Sequence, residues 1–186
     1  MFSSAKDSIF TLWSLSVGDK QTVPFGDMQS GEPFGSTFSP DGRWVAYAST
    51  PGRAGYTAAR SPNRGVYIQP FPPSGERYQV PKVERDFHPA WDPKGRELFY
   101  VPTASQLAVV SFTTKPTVTF GSPVQLPVRV TGNQLSIDLR AFDVLPDGRF
   151  VGLLAPSGAD GVGSLTNQIR LVQNWTEELK ARVPTK

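Results

Sequence analysis

The chain has 186 residues, 38% of them hydrophobic and 11% aromatic, with a formal net charge of +3 and a pI near 9.3. This is enough for one medium domain with its own core and too apolar for a disordered chain. The basic residues are dispersed apart from a loose group at Arg53, Arg60 and Arg64, which argues against a nucleic-acid surface, and the lack of cysteine removes disulfides, thiolate catalysis and cysteine-based zinc sites.

No stretch approaches 18 apolar residues, so no membrane span is expected. The first residues, MFSSAKDSIFTLW, lack the apolar centre of a signal peptide. A soluble chain is expected, cytoplasmic or, as part of a longer precursor, periplasmic.

In chain order, residues 8–25 (SIFTLWSLSVGDKQTVPF) predict two strands. Next come a short strand ending at Phe38, a turn Pro40-Asp41-Gly42, and an alternating strand Arg43–Ser49. In the turn, Pro fixes φ and Gly accepts a positive φ. A long polar, basic loop, Ser49–Arg64, precedes a third strand at Val66–Gln69, with a weaker fourth near Tyr78–Val80. The pattern then starts again. A strand ending at Trp91 leads to Pro93-Lys94-Gly95, then to strands at Glu97–Pro102, Leu107–Ser111 and Pro123–Val128. It starts a third time with Val144, Pro146-Asp147-Gly148, a strand at Arg149–Ala155 and another at Gln168–Val172.

The turn prolines Pro40, Pro93 and Pro146 are spaced 53 residues apart, as are Gly42, Gly95 and Gly148, and Arg43, Arg96 and Arg149. Four short antiparallel strands per 40–55 residues describe a β-propeller blade. The expected fold is therefore all-β, a partial propeller of about three and a half four-stranded blades. The chain divides into a half blade at 8–26, blades at 34–80, 87–128 and 136–175, and a short C-terminal helix at 175–183. Single-chain propellers have four or more blades, and an open arc exposes sheet edges. Either the chain is a piece of a longer protein, or two copies close a six- or seven-bladed ring as a homodimer.

FSPDGRWVAYAS, GVYIQPFPPSGERYQV, WDPKGRELFYV and the ending NWTEELKARVPTK resemble the bacterial TolB-like, WD-type propeller family. The similarity is nearest to the C-terminal propellers fused behind serine/threonine kinase domains. The resemblance implies a module that binds proteins, peptides or small ligands. The chain has no Gly-rich nucleotide loop and no HRD-like or DFG-like motif, so kinase activity is not expected.

Function in such a fold is expected at the mouth formed by the loops between blades, here Gly31–Gly35, Lys82–Pro89 and Gly132–Arg140. His88 is the single histidine and a candidate general acid or base, with Asp86 two residues away as a second catalytic candidate. The competing reading is that His88 caps the start of a strand. Glu32, Asp86 and Asp138 together supply the hard oxygen ligands that suit Ca²⁺. By analogy of fold with calcium-dependent lactonase propellers, such an ion implies the alternative expectation, a lactone or ester hydrolase. Paired carboxylates across the channel would instead suit a glycan-directed hydrolase. Arg85, Arg140, Arg53, Arg60 and Arg64 are candidate ligand-binding residues. Asp41 and Asp147 are assigned to their turns, on the opposite mouth. The leading expectation is a ligand- or protein-binding module.

Overall fold

The computed structural model describes residues 1–51, 61–103, 106–130 and 140–152. The chain divides into two units, Met1–Ala155 and Pro156–Lys186. The second lies outside the described residues, as do the expected strand at Gln168–Val172 and the expected helix at 175–183. Every regular element among the described residues is a β-strand, and every strand pairing is antiparallel.

The first sheet contains β1 (Phe2–Lys6), β2 (Ile9–Leu15) and β3 (Thr22–Ser30) in that order. The sequence reading began this region at residue 8 with two strands, and the structure adds β1. Lys6 pairs with Ile9 across a two-residue turn in which Asp7 and Ser8 both have positive φ, 51° and 62°. That conformation matches the right-handed twist of a hairpin, and Asp is among the few non-glycine residues that accept it. The exposed, polar FSSAK of β1 carries too few apolar residues to be recognised by alternation.

The second sheet is β4 (Ser36–Phe38), β5 (Trp44–Ser49), β6 (Gly65–Pro70) and β7 (Tyr78–Gln79), a meander in chain order. The third begins the same way, with β8 (Phe87–Trp91), β9 (Glu97–Val101) and β10 (Gln106–Thr113). Its outer position is shared. β11 (Thr119–Phe120) pairs with one end of β10, and β12 (Val124–Arg129) pairs with the other. A hairpin of β13 (Phe142–Val144) and β14 (Phe150–Gly152) follows.

Successive sheets bury their faces against one another, and the side-chain period of two decides which residue goes where. On β5, Val45 and Tyr47 face the first sheet with Leu12, Phe25 and Met28. Ala46, between them, joins Leu98, Tyr100 and Val110 of the third sheet. On β9, Leu98 and Tyr100 point back to the second sheet, while Phe99 and Val101 meet Phe142 of β13. Both faces of β5 and β9 are thus covered, which is why WVAYAS and LFYV read as nearly continuous apolar runs. Aromatic edges fill the interfaces: Trp44 meets Phe112 at 5.4 Å and Phe99 meets Phe150 at 4.7 Å, both edge-to-face. Phe38, at the end of β4, is 38% exposed, and its ring stands against Phe71.

Candidate functional site

The three repeated turns come together. They border a cavity of 1310 Å³ whose lining includes Asp41, Arg43, Lys94, Arg96, Lys115 and Asp147. Pro40, Pro93 and Pro146, one from each copy, also border a 320 Å³ cavity reached by Phe38 of β4, Trp91 of β8 and Val144 of β13.

Each turn is closed by a carboxylate, but not always from the same position. In the first copy, Asp41 accepts hydrogen bonds from the Ser39 hydroxyl (2.6 Å), the Arg43 backbone N–H (3.0 Å) and Arg43 Nε (2.7 Å). The Ser39 hydroxyl is the main cause of an Asp41 carboxyl held at about 2, with the backbone and guanidinium of Arg43 adding to it. The third copy repeats the arginine part of the arrangement, Asp147 accepting from the Arg149 N–H (3.0 Å) and from Nε (2.7 Å), while Leu145 stands at the Ser39 position.

The middle copy differs. Lys94 stands where the others have Asp, and the carboxylate comes from Asp92, the counterpart of Ser39. Asp92 accepts from the backbone N–H groups of Lys94 (3.0 Å), Arg96 (2.6 Å) and Glu97 (2.8 Å).

The residues singled out from the sequence at the opposite loops are engaged differently from one another. Arg64 is buried at 5% side-chain exposure and forms an ion pair with Glu32 at 3.2 Å. Its Nε donates to the Arg85 carbonyl at 3.2 Å, and its guanidinium lies over the Phe87 ring at 5.7 Å. Glu32 also accepts from the Thr50 hydroxyl at 3.0 Å. Burial lowers the Arg64 pKa and the facing Glu32 carboxylate opposes that shift. A metal-ligand candidate and a ligand-binding candidate are therefore each other's partner.

Asp86 is buried, and its two oxygens accept the backbone N–H groups of Val83 (2.9 Å) and Glu84 (3.1 Å). Burial pushes its carboxyl upward, and these two hydrogen bonds partly counter it. Asp86 and His88 both have positive φ, 51° and 54°, on either side of Phe87. The pairing of β8 with β9 shifts register between Phe87 and Ala90. The regular alternation that puts residues two apart on one side of a strand does not hold for Asp86 and His88 through this bulge. His88 is buried, its ring edge-to-face with Phe87 at 4.9 Å.

Arg140 forms a clamp between repeats. Its Nη1 donates to the Pro89 carbonyl (2.8 Å), Nε to the Phe142 carbonyl (2.9 Å) and Nη2 to Asp143 (3.0 Å). Arg85 is exposed. Arg53, Arg60 and Asp138 lie outside the described residues. Among the described residues, no three His, Asp or Glu side chains gather as a metal site. No helix among them is long and apolar enough to cross a membrane.

Sequence reasoning placed the site at the loops between repeats and passed over Lys94, Arg96 and Lys115. The signal was present, because PKGR departs from PDGR at the same repeat position. Its effect on pairing follows only from the folded turns. Comparison with protein-family models and with curated proteins gives no match.

Proposed function

We propose that the chain is part of a β-propeller of the TolB-like type and works as a binding module. One observation carries the reading: the first strand of each copy reaches a common cavity, and the turns that follow border a larger one. Strands arranged around an axis, each leading outward into a meander whose face packs on the next sheet, are how blades assemble. The 53-residue period and the family-like strings FSPDGRWVAYAS and WDPKGRELFYV support the same reading. A concave surface of mixed apolar and charged lining is sufficient for recognition, and the fold alone assigns no chemistry.

The state of the catalytic candidates also favours binding. Asp86 uses both oxygens on backbone amides, and Glu32 lies against a buried guanidinium. A Ca²⁺ ion drawing on these two carboxylates would have to compete with those partners.

Hydrolysis of a panel of lactones and aryl esters, with added Ca²⁺ and with chelator, tests the choice. Folded protein is expected to give no turnover in either condition. Turnover lost on chelation and in His88→Ala would replace the binding module with a metal-assisted hydrolase.

A further inference from the structure

We propose that the cavity bordered by the repeated turns binds a short carboxylate-bearing peptide segment of a partner protein, through Lys94, Arg96 and Lys115. The proposal rests on the binding-module reading and adds the surface and the ligand chemistry. It sits at the mouth opposite the one first singled out from the sequence.

The middle turn is the exception among the three. In the outer copies the turn arginine is held by the turn aspartate, Arg43 by Asp41 and Arg149 by Asp147, each at 2.7 Å. In the middle copy that aspartate is Lys94. The turn still closes, because Asp92 takes the backbone amides. Two exposed cations result, Lys94 and Arg96, and neither has an ion pair among the described residues. Turn chemistry accounts for Asp92 but gives the side chains of Lys94 and Arg96 nothing to do. Lys115, exposed at the end of the segment that follows β10, borders the same cavity.

The rest of the lining selects the ligand. Pro40, Pro93, Pro146 and Trp44 supply apolar wall, and 1310 Å³ exceeds the usual room for one small molecule. Asp41, Asp92, Glu97 and Asp147 interrupt the positive charge. A polyphosphate strand or an anionic membrane would meet those carboxylates along its length. A short segment with one or two carboxylates flanked by apolar side chains would not. A free guanidinium donates two parallel hydrogen bonds to a carboxylate.

The test is fluorescence anisotropy with a labelled peptide alternating glutamate and leucine, its glutamine counterpart, and a labelled single-stranded oligodeoxynucleotide. The variant is Asp92→Ser with Lys94→Asp, which rewrites WDPKGR in the SPDGR form of the first copy and should pair Arg96 while keeping the turn. An unchanged melting temperature checks that it folds. The glutamate peptide is expected to bind and the glutamine peptide to bind at least tenfold more weakly. The variant should lose at least tenfold in affinity for the glutamate peptide. No binding of the glutamate peptide would overturn the proposal, as would equal binding of the glutamine peptide or tighter binding of the oligonucleotide. Glutamate-peptide binding unchanged in the variant would overturn this site while leaving the binding module in place. Hydrolytic turnover in the separate lactone and ester assay would instead overturn the underlying reading.

Discussion

Arg64 and Glu32 illustrate how a polar residue inside a repeat protein can serve the scaffold. The guanidinium is nearly fully buried and joins the segment before β4 to the backbone before β8. Removing one member of such a pair leaves an uncompensated buried charge, which costs far more than the pair itself contributes. Glu32→Ala is expected to lose about 3 kcal/mol in urea unfolding. Adding Arg64→Met should recover most of that loss, because an apolar side chain of similar length fits the site without the charge. A double variant no more stable than Glu32→Ala would mean that the stranded Arg64 charge is not the source of the loss. From the sequence, Glu32 and Arg64 are simply two charges in two loops 32 residues apart. Nothing local indicates that one faces the other.

At the scale of the element, the turns were the most legible part of the chain. Their chemistry is local: proline sets one dihedral angle, glycine takes another, and a carboxylate closes the ring of amides. Gly42 and Gly148 adopt φ of +70° and +85°, and an added methyl group would meet nothing within 4 Å at either position. The cost of Gly42→Ala should therefore come from the backbone alone, about 1–2 kcal/mol by thermal or denaturant unfolding. A loss near zero would place the turn conformation within easy reach of alanine. The strands were legible where both faces are buried, as in β5, β6 and β9. They were not legible in β1, where two serines break the alternation, or at Asp86–His88. There, two positive-φ residues interrupt the period that places side chains on a face. A bulge is fixed by what packs against it, so its position is not written in the residues that form it.

For the whole molecule, the repeat was visible because a fixed period survives changes in individual residues. Phe38, Trp91 and Val144 share a repeat position, yet Phe38 is exposed while Trp91 is 6% exposed. The period predicts position in the sheet, while neighbouring sheets decide burial. The propeller reading leaves two ways to complete the ring, a longer protein or a second copy. The hairpin β13–β14 carries Phe150 and Val151 at 40% and 53% exposure, an apolar strand of the kind proteins normally cover. Light scattering of the purified chain is expected to return the mass of two chains, and the mass of one would set dimeric closure aside.

The two ways of closing the same turn also constrain how one could have changed into the other. A copy with Ser and Asp at the two positions, as at Ser39 and Asp41, keeps its carboxylate. So does one with Asp and Lys, as at Asp92 and Lys94. Ser with Lys would have none, and the one backbone amide that Asp41 accepts, that of Arg43, would lose its side-chain acceptor. Asp at both positions keeps a carboxylate throughout, at the cost of like charges near one another. A single-step path between the two turns therefore runs through the doubly acidic form, and the lysine arrives last. At this turn position a lysine can replace the aspartate only after the carboxylate has a second place to stand.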